Sequence, residues 1–207
     1  MANFSIEFFS NSLRRPVTFK MYIPNDPVKV FVWGEGDKYK TKPIKTLFLL
    51  HGYTGAAGNW VPEELSKKYN IAIVMPSGEN GFWVDGISTG HMFGTFLTIE
   101  LVDYVRETFG LAKTKEDTYI MGMSMGGFGA LHAAFSCPDR FGKAIALSPA
   151  YIIHQLESMK PGDDNGMANY EYYRECFGEL KEAKNSKKSR MSPWVVARLF
   201  LLTKNIN

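Results

Sequence analysis

The chain has 207 residues, 45% of them hydrophobic, and its 24 Lys and Arg against 21 Asp and Glu leave a formal charge of only +3. That length suits one domain with a substantial core, and so small a charge gives no argument for nucleic acid as a partner. Two cysteines, Cys137 and Cys176, form neither a disulfide framework nor a metal-ligand set, and no apolar run approaches the roughly 18–20 residues of a membrane span. The start, MANFSIEFFSNS, lacks a basic stretch followed by an apolar one, so no signal peptide and a reduced, cytoplasmic setting are expected. Much of the positive excess sits in KEAKNSKKSR, residues 181–190, which reads as a solvated linker or helix face.

In chain order, FSIEFFS and VTFKMYIP read as strands, and VKVFVWGEG as a third run ending in glycine. KTLFLL, Lys45 to Leu50, is wholly apolar after its start, as expected of a strand buried on both faces. A glycine-rich loop, HGYTGAAGNW, follows it, and VPEELSKKY then reads as a helix with proline at its start and acids in its first turn. IAIVMP is the next buried strand. Phe93, Phe96, Leu97, Leu101, Val105 and Phe109 mark one amphipathic helix, stopped by Gly110. TYIMGM, GGFGALHAAFSC and KAIALSP continue as strand, helix, strand. Short apolar strands alternating with helices predict an α/β fold, a mostly parallel sheet with helices on both faces. After Pro149 the rhythm is lost, and residues 149–185 read as a cap over the site or a surface excursion with one or two short helices.

Gly122-Met123-Ser124-Met125-Gly126 matches G-x-S-x-G between a strand and a helix. A serine on such a turn is held in a strained backbone conformation with its oxygen proud of the sheet, and the glycines remove side chains that would collide there. The helix that follows aims its first N–H groups at the same spot. Ser124 is therefore the candidate nucleophile. His51-Gly52-Tyr53-Thr54-Gly55 ends a buried strand on the carboxyl rim of the sheet, where crevices form in open α/β folds. The natural pair of oxyanion donors is the N–H of Met125 and that of Tyr53. His51 is open to two readings, catalytic base or loop-shaping hydrogen-bond partner, and its place beside a glycine favours the second.

The blocks LFLLHGYTGAAGNW, IAIVMPSGENGFWVD, MGMSMGGFGALHAAFSCPDRFGKAIALSPA and SIEFFSNSLRRPVTFKMYIP resemble the esterase D branch of the α/β-hydrolases over residues 3–150. That branch includes tributyrin, cinnamoyl, feruloyl and acetyl-xylan esterases and S-formylglutathione hydrolases. The resemblance implies a single α/β-hydrolase domain and a carboxylic-ester hydrolase with a Ser-His-Asp triad, no metal and no cofactor. It places the nucleophile at Ser124 and the oxyanion donors at Met125 and Tyr53.

The partners of Ser124 are the difficulty, since a serine hydroxyl needs an adjacent general base. Chain order in this fold is nucleophile, acid, histidine, and only His132 and His154 follow Ser124. His132 lies two turns along the nucleophile helix and reads as packing. His154 follows the ALSPA strand end and is the substitute base on offer, although it precedes the place where the family's acid falls. Asp163 and Asp164 read as solvated, Asp139 and Asp103 as a helix end and a helix face.

The tail RMSPWVVARLFLLTKNIN does not resemble the strand the family carries next. Read one base out of register, Arg190 to Arg198 permit Tyr-Val-Ala-Met-Gly-Cys-Gly-Thr, a buried strand and the Gly-Thr step expected before the acid. Leu199 and Phe200 cannot continue to Asp without a second slip. The expectation is a frame shifted near residue 190 and then truncated, so that the last strands and helix of the fold are lacking. The competing reading is a native short terminus with an all-round apolar helix from Pro193.

Three functions follow. The first is a serine carboxylesterase acting on short-chain or aromatic esters, with Trp60, Phe82 and Trp83 near the crevice loops, where each reads equally well as core packing. The others are a hydrolase fold that binds without turnover and a thioesterase of S-formylglutathione hydrolase type. The expected partner is a small-molecule ester, with no nucleic acid and no membrane; the sequence leaves the oligomeric state open.

Overall fold

The computed structural model describes residues 2–24, 43–58, 64–150 and 156–179. Six strands form one sheet in the order β1-β2-β4-β3-β5-β6. β1 (Ala2–Ser10) and β2 (Arg15–Ile23) make an antiparallel hairpin, and β2 pairs antiparallel with β4 (Ile71–Pro76). β3 (Lys45–Leu50), β4, β5 (Thr118–Met123) and β6 (Lys143–Leu147) run parallel. This is the mostly parallel α/β sheet expected from the alternation of strands and helices. The third predicted strand, VKVFVWGEG, and all of residues 190–207 lie outside the described residues.

β1 alternates half-buried Phe4, Ile6 and Phe8 with exposed Asn3, Ser5 and Glu7, as an edge strand covered on one face should. The central strands instead bury both faces. Phe48, Leu50, Val74 and Ile120 join the main core with the helices, whereas Leu49, Ile73 and Met75 join Tyr22 in a small cluster on the other face. Toward β6 that second face opens, and Met123, Ile145 and Leu147 are exposed.

α1 (Glu64–Tyr69) is the described part of the helix predicted from Val61, and it lies beside β4 and β2. The long amphipathic helix runs without a break from α2 (Phe93–Thr95) through a π-helical stretch (Phe96–Leu101) into α3 (Val102–Phe109). Gly110 ends it in the left-handed conformation, φ 63°, which glycine adopts without strain. Its stripe of Phe93, Phe96, Leu97, Leu101 and Val105 is fully buried.

From the π-helical stretch, Glu100 reaches the β1–β2 turn and accepts from Ser10 Oγ (2.6 Å), Asn11 N (2.6 Å) and Ser12 N (3.1 Å). Burial alone would raise this carboxyl, but the hydrogen bonds from Ser10, Ser12 and Asn11 outweigh it and hold it below its usual range. α4 (Met125–Ser136) lies against β5 and β6. Beyond Pro149 the described chain is mostly irregular until α5 (Tyr170–Phe177), whose N-cap Asn169 accepts from Tyr172 N at 2.9 Å. Among the described residues no helix is long and apolar enough to cross a membrane.

Candidate active site

Ser124 joins β5 to α4 with φ 54° and ψ −118°, a conformation costly for a residue with a side chain. Its surroundings over-determine it. Ser124 N donates to Leu147 O at 2.9 Å, and Ser124 O accepts from Phe128 N and Ala150 N, each at 3.0 Å. The flanking glycines are required by contact. A Cβ on Gly122 would lie 2.1 Å from Gly126 O, and one on Gly126 would lie 2.3 Å from Leu50 O. The start of α4 is therefore pressed onto β5 and the end of β3, a packing that only glycine permits. Met125 is fully buried at the first helical position, where a backbone N–H has no partner within the helix.

The loop after β3 sits directly over this turn: a Cβ on Gly52 would be 3.5 Å from Ser124 Cβ. His51 holds the loop in place. Gly78 N donates to His51 Nε2 at 2.9 Å, and a backbone amide can only donate, so Nε2 is the acceptor and the ring proton sits on Nδ1. His51 Nδ1–H then donates to Gly52 O at 2.8 Å, and Gly55 N donates to the same oxygen at 3.0 Å. Because the peptide is planar and trans, fixing the Gly52 carbonyl points the Tyr53 N–H the opposite way, away from His51 and Gly55. Burial pushes the His51 imidazole below its ordinary value of 6.5, the Gly52 contact opposing it, so the ring is neutral at pH 7. With both nitrogens engaged, His51 fits the loop-shaping reading rather than that of a base.

The turn after β4 completes this rim. Asn80 Oδ1 accepts from Thr54 N at 2.9 Å, and Trp83 Nε1 donates to His51 O at 3.3 Å. Phe82 and Trp83 both have positive φ, 51° and 60°. Trp83 is fully buried and wedged against Gly78 and Gly129, where a Cβ would come within 2.7 and 2.6 Å of its ring. Of the two readings open for it, an acyl-group contact or core packing, the burial of Trp83 fits the second. Phe82 does line a cleft, and Trp60 lies outside the described residues.

That cleft, about 350 Å³, runs between residues 80–84 and the segment 164–177. Phe82 and Val84 face Met167, Tyr173 and Phe177 across it, with Asp164, Asn169 and Cys176 also on its lining. The Phe82 ring is 6.1 Å from Tyr53 and 6.0 Å from Phe128, so one wall of the cleft is shared with the loop over Ser124. Burial pushes the Tyr172 phenol up to about 12, with the neighbouring Cys176 adding to it.

The remaining candidates are placed elsewhere. His132 is buried in α4 and stacks on Phe128 at 6.0 Å between centroids. Asp103 is held by Arg140 through two contacts (2.5 and 3.2 Å), and Asp139 is exposed in the turn after α4. Asp163 accepts from Lys160 N at 2.8 Å and Asp164 from Gly166 N at 2.6 Å, both on exposed turns. His154 lies outside the described residues. Among the described residues no side chain is hydrogen-bonded to the Ser124 hydroxyl, and no group of three or more His, Cys, Asp or Glu is arranged to hold a metal ion.

Gly78 and Asn80 are the site residues the sequence reading missed. The signal was present, since SGENG follows β4 on the same carboxyl rim as His51 and Ser124.

Comparison with known proteins places this geometry in context. The Esterase family model matches residues 10–194. An acetyl esterase from Caldicellulosiruptor saccharolyticus is 37% identical over 193 residues, covering 91% of this chain and 71% of that protein. An S-formylglutathione hydrolase from Paracoccus denitrificans (strain Pd 1222) is 28% identical over 174 residues, 72% of this chain and 57% of that one. Among solved structures, the fluorophosphonate-binding serine hydrolase FphF of Staphylococcus aureus superposes with a TM-score of 0.69 at 22% identity, over 99% of this chain and 76% of that one.

Proposed function

The chain belongs to the Esterase family, and from that premise we propose that it hydrolyses carboxylic esters through an acyl-enzyme on Ser124. The observation that carries the reading is the backbone of Ser124, held at φ 54° under a loop whose Gly52 would touch it with a single added carbon. Such strain persists where surrounding structure imposes it and where an exposed oxygen is the gain. Ser124 Oγ attacks the ester carbonyl, and the N–H groups of Tyr53 and Met125 receive the oxyanion. Each such donor is worth about 2.7–4 kcal/mol to the transition state. The ester C–O bond then breaks, the alcohol leaves with a proton, and water releases the acid from Ser124.

The 37% identical acetyl esterase supports a short acyl group, and the largely apolar cleft beside Tyr53 supports a bulkier, aromatic one. His51 and His132 are committed to packing and hydrogen bonds, and His91 is exposed in the loop before α2, where its Nδ1 lies 2.7 Å from Ser88 Oγ. His154, the remaining one of the chain's 4 histidines, follows Ser124 and β6 and is proposed as the substitute base.

The test is turnover of p-nitrophenyl acetate and butyrate by the purified chain, with Ser124→Ala and His154→Ala beside it. Loss in Ser124→Ala of about 10⁴-fold or more is expected. Turnover that survives Ser124→Ala overturns the proposal. Slow labelling of Ser124 by a fluorophosphonate, without turnover, shows an activated serine lacking its base.

A further inference from the structure

The cleft beside Tyr53 has a distinctive charge. Residues 156–179 carry six acids and two bases, a formal −4 on a chain whose total is +3. Among the described residues lining the cleft there is one charged side chain, Asp164, and no Lys, Arg or His. Four of its lining residues are aromatic: Phe82, Tyr172, Tyr173 and Phe177. Tyr173 and Phe177 stack with centroids 6.4 Å apart, and Tyr172 stands edge-on to Tyr173 at 6.2 Å.

Asp164 belongs to the same neighbourhood as the catalytic rim. Burial holds the Tyr173 phenol above its ordinary value; its hydrogen bond to Asn165 opposes this, while Tyr53 and Asp164 both add to the rise. Phe82 links the cleft to the oxyanion loop through its contact with Tyr53.

Aromatic faces carry negative charge density, and a desolvated cation over them is attracted in addition to its apolar contact. A hydrated ammonium would give up too much water to enter a mainly apolar cleft, whereas an alkylated one is already wrapped in carbon. A nearby carboxylate adds a full charge of the right sign, and the acidic segment around it concentrates cations at the mouth. The same field repels anionic substrates and the carboxylate product.

Resting on the esterase reading, we propose that this cleft receives a quaternary ammonium group carried by the ester, with Asp164 as the residue that sets the preference. With a choline ester the balance is simple. Water and acetylcholine give acetate, choline and a proton; Ser124 is acetylated as the C–O bond breaks and is freed by water.

The experiment compares acetylcholine with its uncharged carbon isostere, 3,3-dimethylbutyl acetate, and betaine methyl ester tests the cation on the acid side. A kcat/KM about tenfold higher for a cationic ester is expected, falling in 0.5 M salt and in Asp164→Asn. Calorimetric titration of choline and 3,3-dimethylbutan-1-ol into Ser124→Ala separates this claim from the esterase reading, because it needs no turnover. Choline should bind about tenfold tighter than the neutral alcohol, with Asp164→Asn and Tyr173→Leu each removing most of that difference. Equal binding of the two alcohols, or a choline preference untouched by Asp164→Asn in a variant with unchanged circular dichroism, overturns the proposal.

Discussion

The two walls of the candidate site are built by different means. On the serine side the chain is fixed through its backbone: Ser124 makes three main-chain hydrogen bonds, and Gly122 and Gly126 bring α4 within contact of β5 and β3. On the cleft side, the turns that lead into α5 are held by side chains as well as by backbone. Asn165 Oδ1 alone accepts from Met167 N, Ala168 N and Tyr173 Oη, at 3.1, 3.2 and 3.2 Å. A wall made of backbone contacts admits almost no substitution, whereas a wall made of exchangeable side chains is free to vary. On the proposed reading, reaction chemistry is thus tied to the rigid wall and substrate choice to the adaptable one.

The contrast breaks most visibly at Gly126→Ala. Its new methyl meets the Leu50 carbonyl at 2.3 Å, with no flexible side chain to give way. A loss of about 3–4 kcal/mol is expected in urea denaturation, and a variant of near-normal stability would mean the serine wall is softer than its contacts imply. Next in size is His51. His51→Phe removes the clamp on the Gly52 carbonyl and should lower kcat about 10²-fold with a smaller change in KM. His51→Asn, whose amide nitrogen can replace the Nδ1 donor, should recover part of that.

His51 also predicts a pH effect. Its folded pKa lies below its ordinary 6.5, so the unfolded chain takes up a proton first as pH falls. This contribution to stability is present above pH 6.5 and lost as pH drops through the depressed value. Urea midpoints measured between pH 5 and 8 should show a slope that His51→Phe lacks.

The cleft wall should respond less. Asn165→Ala leaves three donors without their acceptor and should cost about 1–2 kcal/mol. Asn169→Ala removes only the N-cap of α5, about 1 kcal/mol, and should appear as faster hydrogen exchange in residues 170–177 with little change in the global melt.

Legibility in the sequence follows the same division. The buried strands and the serine turn rest on local rules, apolar runs and glycine spacing, so KTLFLL, IAIVMP and GMSMG announce their own structure. The helix from Phe93 was legible in extent and end but not in winding, because a π-helical stretch leaves no mark in apolar spacing. Trp83 was left open because an aromatic beside a crevice loop looks alike whether it faces the core or the crevice; two glycines far apart in sequence, Gly78 and Gly129, decide for the core. The cleft was illegible beyond the suggestion of a cap, since it joins residues 80–84 to residues 164–177 through tertiary contacts that no local pattern encodes.

The π-helical stretch has one more consequence, for the phase of the helix. Leu97, Leu101, Val105 and Phe109 recur every four residues. On a regular α-helix each such step overshoots a full turn by about 40°, so three steps would carry the stripe about 120° around. A π-helical stretch holds more residues per turn, so steps through it fall short instead and cancel part of the overshoot. The phase of the stripe thus depends on the winding between Phe96 and Leu101. Removing one residue there would tighten the stretch to α-helix and leave the two halves nearly in phase, because five residues at about 100° turn the chain about as far as six at the wider π-helical winding.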